Sequence, residues 1–433
     1  MSTSITVKRA IPHGTIAAIP AKAHAHRALI AAALAQSPSS LIIAHYSEDI
    51  DATIASLQGL GATITKTATG VTVIPIPQIP PSKTTQKRAI NAHESGTTLR
   101  LLLPVASVIS EATDVTAAGR LPERPLEPLK SQLEAHGISF SAPKPPFTMT
   151  GKLTGGTFEM VGNVSSQFFS GLLLAAPSIA PVTIHSTTAL QSRDYVELTR
   201  KVMADFGVIT TTSHDGNTFT VPPNQHYEGR QQYAIEGDWS NSAIWLVATA
   251  MTGQPLTITN LQADSTQADK RILDIITAAG ATVSWSSSND APKQTMLHCS
   301  GRAHTPITVD LEQCPDLLPV LAALACSIEG ESWFMNGERL RLKESDRLAA
   351  VEELVATLGG QARVEGDNLY ITGTGQLLGG TVHSHNDHRL VMAATLMALI
   401  SETPVTITDS DAINKSYPLF FKHWKQLGGQ YEL

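Results

Sequence analysis

The stretch NDHRLVMAATLMALI (386–400) sets a short polar knot against the front of a long apolar run. Five more stretches share the layout: AHAHR before ALIAAALA (23–35), ESGTTLR before LLLPVAS (94–107), NVSSQFF before SGLLLAAP (163–177), DWSNSA before IWLVATA (238–250) and CPDLLP before VLAALAC (314–326). The knots recur about every seventy residues, longer than the period of a thin solenoid and suited to duplicated subdomains. Each apolar run predicts a buried helix and each knot its N-terminus. A helix start exposes unpaired N–H groups and the positive end of the macrodipole, so it attracts anions. Six such starts, several carrying Lys or Arg, point to one large site for small, heavily anionic molecules.

A second pattern keeps step with the first. After each apolar run comes an amphipathic stretch that ends in glycine and passes into strand-like residues, as in SLQGLGATITK (56–66) and IITAAGATVSW (275–285). The glycines are Gly61, Gly137, Gly207, Gly280, Gly359 and Gly428. Glycine tolerates the left-handed conformation that closes a helix. The β-branched tails, such as TITKTATGVTVIP (63–75), read as hairpins. The repeat is therefore strand, buried helix, strand, amphipathic helix, hairpin. Grouped three and three, six repeats divide the chain near 235. The proline-rich PIPQIPPSKTTQKR (75–88) reads as a surface connection, and SITVKRA (4–10) fits either half.

Composition narrows the class. The chain has 433 residues, 42% of them hydrophobic and only 16% charged, with a formal net charge of −7. That is enough apolar material for two or three domains, and it lacks the basic excess of a nucleic-acid protein. Three scattered cysteines without a CxxC spacing favour a reducing compartment, with Cys326 a core residue. No apolar leader opens the sequence, and no apolar run reaches the ~18–20 residues of a membrane span. A cytoplasmic chain without membrane or nucleic-acid partners is expected.

Several clusters have side chains for anion binding and proton transfer. Arg339, Arg341, Lys343, Glu344 and Arg347 crowd the start of an amphipathic helix, although ion pairs on a solvated helix start would look the same. Asn386, Asp387, His388 and Arg389 open another helix, where Asp is also an ordinary cap. Lys22 and Arg27 flank the first knot. Arg124 lies in LPERPLEPL (121–129), Ser165, Ser166 and Gln167 form a hydroxyl-rich helix start that also reads as plain capping, and Lys415 lies in NKSYP. The histidines have no HExxH spacing, His24 and His26 point apart on a helix, and neither a phosphate-loop nor a nucleophile-elbow motif is present.

Taken together and in order, these strings resemble the 5-enolpyruvylshikimate-3-phosphate (EPSP) synthase family from end to end. The resemblance rests on PAKAHAHRALIAAALA, ESGTTLRLL, LPERPL, NVSSQFFSGLLLAAP, LKESDRLAA, NDHRLVMA and NKSYPLFF, with LKESDR and NDHR the specific members. It implies an α/β, two-lobed enolpyruvyl transferase fold of six βαβαββ units. Residues 21–235 would form the first lobe, and 1–20 with 236–433 the second. A double crossover hinge near 20 and 235 and helix N-termini facing an interdomain cleft are part of the same expectation. The implied reaction transfers the enolpyruvyl group of phosphoenolpyruvate to the 5-hydroxyl of shikimate 3-phosphate through a tetrahedral intermediate, in a monomer without metal or organic cofactor.

By the same resemblance Lys22 contacts both substrates. Arg27, Ser165, Ser166, Gln167, Ser192, Arg339 and Lys343 bind shikimate 3-phosphate, with Gln167 reaching phosphoenolpyruvate as well. Gly96, Arg124, Arg347, Arg389 and Lys415 hold phosphoenolpyruvate. Asp316 takes the 5-hydroxyl proton, Glu344 exchanges the proton at the methylene carbon, and His388 assists. Gly96 would leave open space beside phosphoenolpyruvate in which glyphosate competes. The chain departs from the pattern at Ala23, where a serine is usual, and at Glu94, Leu101, Asp194 and Arg339. His24, His26 or Arg339 would then have to replace the missing phosphate contact. Three rivals stay open: a UDP-N-acetylglucosamine enolpyruvyl transferase, disfavoured because TAAGRLPERP (116–125) lacks cysteine; a sister carboxyvinyl transferase for another cyclic alcohol; and a non-catalytic anion binder.

Overall fold

Every apolar run forms a helix that starts at or beside its polar knot, and every amphipathic stretch forms a second helix. In the computed structural model, which describes residues 3–77, 88–287 and 295–433, twelve α-helices fall into six pairs among the described residues. The first half holds α1 (Lys22–Leu34) and α2 (Glu48–Gly59), α3 (Gly96–Ile109) and α4 (Leu129–Ala135), and α5 (Ser166–Ala175) and α6 (Arg193–Asp205). The second half holds α7 (Trp239–Thr252) and α8 (Ile272–Ala278), α9 (Leu318–Cys326) and α10 (Arg347–Thr357), and α11 (His388–Met397) and α12 (Phe420–Gln426). Most of the proline-rich connection, residues 78–87, lies outside the described residues.

Local chemistry sets the helix ends. Ser95, Ser165, Asp238 and Asp387 each accept a bond from a backbone N–H of the following turn, which satisfies one of the orphan donors. At the other end of α2, Gly61 has φ +106 and donates to the Gln58 carbonyl, while Ala62 donates to that of Leu57. This pair of bonds is the Schellman motif, and it needs the left-handed residue that glycine supplies without strain. The same pair of bonds closes α6, α8, α10 and α12 at Gly207, Gly280, Gly359 and Gly428.

Among the described residues six four-stranded sheets accompany the helix pairs. In the second repeat Arg88–Asn91 runs parallel to Ala112–Thr116, which pairs antiparallel with Phe147–Gly151, and that strand with Ile138–Phe140. The path is βαβαββ. The repeats beginning at Gly156–Met160 and Thr308–Asp310 follow it too. The other three complete their sheets with strands distant in sequence. Tyr233–Ala234 pairs with Ser39–Ile42 in the α1 repeat, and Gly14–Ala17 with Leu256–Thr259 in the α7 repeat. Ser4–Lys8 lies between Val405–Thr408 and Gln430–Glu432 in the last one.

The chain divides into two compact lobes, a first of Pro20–Ile235 and a second of Met1–Ile19 with Glu236–Leu433. Each contains three repeats and its own apolar core. Leu29, Leu102, Phe168, Phe169 and Phe206 fill the first, and Trp245, Leu321, Phe334, Met392 and Trp424 the second.

Candidate active site

In the first lobe the starts of α1, α3 and α5 are tied together by polar bonds. Lys22, the first residue of α1, donates from Nζ to Asp49 Oδ2 at 2.7 Å. The hydroxyl of Thr98 sits 3.4 Å from the Asp49 carbonyl, 2.8 Å from Oγ of the cap Ser95 and 2.6 Å from Thr53 Oγ1. Gln167 gives its amide nitrogen to Thr97 Oγ1 at 2.9 Å and accepts from Arg100 Nη1 at 3.0 Å, so the amide can point only one way. Arg100 reaches on to the Pro125 carbonyl at 3.1 Å and so steadies the loop that carries Arg124.

This arrangement requires α3 and α5 to approach closely. Pro104 lies inside α3 and has no N–H for the Arg100 carbonyl. A Cβ at Gly171 of α5 would sit 2.6 Å from that oxygen and 3.2 Å from Leu101 Cα, so only glycine fits without a shift. Ser165 caps α5, Ser166 begins it, and Ser192 precedes α6 in a left-handed conformation.

Two expectations for this lobe change. The space beside Gly96 is not open: a Cβ there would lie 2.9 Å from Arg124 Nη1, because the guanidinium packs over the glycine. His24 and His26 do not replace the serine hydroxyl missing at Ala23. Both rings are buried, His24 bonded to Tyr233 Oη and His26 to Thr53 Oγ1, and burial lowers both pKa values, that of His24 to about 3. Arg27 is fully buried and donates to Thr199 Oγ1, the Ala23 and Tyr195 carbonyls and Ser170 Oγ. These bonds fasten α1 to α5 and α6, and burial pulls its pKa down to about 10.

In the second lobe one guanidinium joins three carboxylates. Arg347, buried at the start of α10, donates to Asp316 Oδ1 (2.7 Å), Glu344 Oε2 (2.8 Å) and both oxygens of Asp387 (2.8 and 3.2 Å). Lys343 Nζ adds a bond to Asp316 Oδ1 at 3.0 Å, and Ser345 Oγ one to Asp387 Oδ2 at 2.9 Å. Burial pushes the Asp316 carboxyl up, but Lys343, Arg347 and Arg389 outweigh it and hold the group well below the ordinary carboxylate value. Burial likewise opposes ionisation of Asp387, and Arg347 overcomes it. Burial draws the Lys343 ammonium below its usual value in spite of Asp316.

The remaining candidates surround this cluster. Arg389 of α11 donates to the Ser240 carbonyl at 3.0 Å and to Ser240 Oγ at 2.5 Å, while its buried Nε has no hydrogen-bond partner among the described residues. Lys415 Nζ donates to the carbonyl of Asn386, which with His385 turns the chain into α11 through two consecutive left-handed residues. His388 is buried, with Nδ1 3.9 Å from Asp387 Oδ1, too far for a hydrogen bond. Arg339 lies half-buried in the Glu338–Leu342 turn, where its charge acts on Lys343. Sequence reasoning missed Asp49, Arg100, Ser240 and Asp269. Of these Arg100 lay in the knot ESGTTLR and Ser240 in the knot DWSNSA, whereas Asp49 and Asp269 lay in neither a knot nor a charged cluster.

Each lobe thus gathers cations at helix starts, and the second adds two carboxylates, Asp316 and Glu344, on one guanidinium. A model of the EPSP synthase (3-phosphoshikimate 1-carboxyvinyltransferase) family matches residues 9–424. The 3-phosphoshikimate 1-carboxyvinyltransferase of Clostridium kluyveri is 35% identical over 423 residues, covering 96% of this chain and 95% of the relative. The protein of that name from Clostridium acetobutylicum is 37% identical over 422 residues with the same coverage. The solved structure of EPSP synthase from Acinetobacter baumannii superposes with a TM-score of 0.80 over 100% of both chains at 20% identity, a likeness of fold. With the family pattern spanning nearly its whole length and relatives above one-third identity, this chain belongs to the EPSP synthase family and has the two-lobed enolpyruvyl transferase fold.

Proposed function

We propose that the protein transfers the enolpyruvyl group of phosphoenolpyruvate to the 5-hydroxyl of shikimate 3-phosphate, a step of the shikimate pathway towards aromatic amino acids. The hydroxyl oxygen adds to C2 of phosphoenolpyruvate while C3 gains a proton. The tetrahedral adduct then loses that C3 proton and breaks the C2–O bond to phosphate. Atoms and charge balance without a metal or organic cofactor.

The observation that carries this reading is the placing of Asp316 and Glu344 on one buried guanidinium. Two carboxylates beside fixed cations suit a reaction that removes one proton from oxygen and exchanges another at carbon. Without substrate Asp316 is a weak base, since three cations depress its proton affinity. Anionic substrates would offset those cations and raise it, so binding itself prepares the base. Glu344 serves C3, with His388 assisting. Lys343 and Arg339, with Ser165, Ser166, Gln167, Ser192 and the remaining Arg27 donor, take shikimate 3-phosphate. Gly96, Arg124, Arg389, Lys415 and Arg347 take phosphoenolpyruvate, and Lys22 serves both.

The finer reading is a monomer working in the cytoplasm, with no nucleic-acid or membrane partner. Cys299, Cys314 and Cys326 are free and buried with pKa values raised to about 12, which suits a reducing compartment. No helix among the described residues is long and apolar enough to cross a membrane. A phosphate-release assay omitting each substrate in turn tests the activity. Release that requires both substrates supports it. Turnover of unphosphorylated shikimate at the same rate indicates a sister enzyme, and binding without release indicates a non-catalytic relative.

A further inference from the structure

Arg389 has both of its observed side-chain bonds on one residue, Ser240, at the start of α7. That serine is itself held from behind. Its hydroxyl is within hydrogen-bond reach of Oδ2 of Asp269, a carboxylate only 1% exposed in the turn Ala268–Arg271. The donor inventory fixes the direction of the chain: a guanidinium only donates, so Ser240 Oγ accepts from Arg389 and its single proton goes to Asp269. The same strap grips the neighbouring backbone. Gln267 accepts from the Trp239 N–H at 3.1 Å and donates to the Gly237 carbonyl at 2.8 Å. Gly237, Trp239 and Ser240 are thus all held by residues 267 and 269.

We propose that Asp269, acting through Ser240, is a positioning residue that aims the Arg389 guanidinium at phosphoenolpyruvate. This rests on the reading of Arg389 given above. With Ser240 Oγ and carbonyl anchoring the two terminal nitrogens, the rest of the guanidinium donor set, including buried Nε, remains for a ligand carboxylate or phosphate. Without an acceptor at 269, the Ser240 hydroxyl can turn its proton elsewhere and the guanidinium loses a fixed anchor.

The environment of Asp269 supplies a pH signature. Asp316, Asp238 and Arg389 act on it from other elements, Asp269 in turn raises the pKa of Cys314, and Ser240 donates to it. Burial, with Asp316 and Asp238 adding to it, raises its pKa to about 6 against the opposing effects of Arg389 and Ser240. Protonation below that value weakens the acceptor, so phosphoenolpyruvate affinity should fall on the acid side.

The test is steady-state phosphate release by the full chain from pH 5 to 9, with shikimate 3-phosphate saturating. For Asp269→Asn the expected result is an increase of about tenfold in KM for phosphoenolpyruvate with a much smaller change in kcat. KM for shikimate 3-phosphate should hold, and the wild-type rise in phosphoenolpyruvate KM below about pH 6 should disappear. Ser240→Ala should give the same split, and the double variant should be no worse than either single one, since both break one relay. An unchanged phosphoenolpyruvate KM in both variants, in an active wild type, overturns the proposal. So does a uniform loss of kcat and of both KM values together with melting temperature, which marks a merely structural role. An inactive wild type instead refutes the reaction assigned above.

Discussion

Replacing Asp316 by asparagine isolates the charge at the centre of the second-lobe cluster. The side chains are nearly the same size, so the change removes charge and basicity while keeping an oxygen for Arg347 Nη1 and Lys343 Nζ, now at 2.7 and 3.0 Å. Charge-assisted bonds are worth about 1.5–3 kcal/mol each, and neutral ones about half that. Arg347 keeps Glu344 and Asp387 as partners, so the loss of stability should be about 2 kcal/mol and the fold should persist. Catalysis should suffer more. A positioned general base contributes about 10²–10⁴ in rate, or about 3–5 kcal/mol of barrier. Phosphate release at saturating substrates should therefore fall by at least a hundredfold, with KM for phosphoenolpyruvate within about threefold of wild type. A thermal melt on the same preparation separates the two effects. Wild-type kcat in a folded Asp316→Asn protein would show that this carboxylate takes no proton in the slow step. A rise in phosphoenolpyruvate KM alone would make it a binding group.

Gly96→Ala sets a methyl 2.9 Å from Arg124 Nη1. The flexible guanidinium should swing aside, raising KM for phosphoenolpyruvate about fivefold and weakening competitive inhibition by glyphosate, with shikimate 3-phosphate unaffected; inhibition kinetics at varied phosphoenolpyruvate check both. Gly171→Ala should cost about 1–3 kcal/mol by forcing α3 from α5, seen as a lower urea midpoint at an unchanged slope. The pH dependence of stability has a definite sign. Asp316 and Asp387 have depressed folded values, so their contribution is complete above the unfolded value of about 4 and vanishes as pH falls through the folded ones. Arg347→Met should accordingly destabilise by about 3–5 kcal/mol at pH 7 and progressively less as pH falls below about 4, measured by urea unfolding. Asp269 acts in the opposite sense. Its raised value favours the folded state at low pH and weakens it as pH climbs from about 4 to 6.

The fold was legible where its determinants are local. A Schellman glycine and a capping serine act within a turn or two, and these signals recur in step along the chain, so the six repeats could be read directly. The strands that complete the α1 and α7 repeats were not legible. Tyr233–Ala234 and Gly14–Ala17 find their partners far away in sequence, and a two-residue strand has no periodicity to detect.

The site divides in the same way. Helix starts announce which side chains stand beside exposed N–H groups, but not which of them still have a donor to offer. Arg347 and Arg389 look alike in sequence, each one or two residues beyond an acidic helix cap, Asp346 or Asp387. Packing separates them. Three carboxylates converge on Arg347, and Arg389 meets a serine whose hydroxyl is turned away by Asp269. Burial of a guanidinium demands acceptors. When those acceptors are carboxylates much of the charge is answered within the fold, and when they are a carbonyl and a hydroxyl the full charge remains for an anion. The histidines of AHAHR make the complementary point: a polar knot can turn inward when a tyrosine and a threonine from elsewhere in the lobe satisfy it. The identity of the acceptor, supplied from a hundred or more residues away in the case of Arg389, decides how much of a conspicuous cation's charge is left for the substrate.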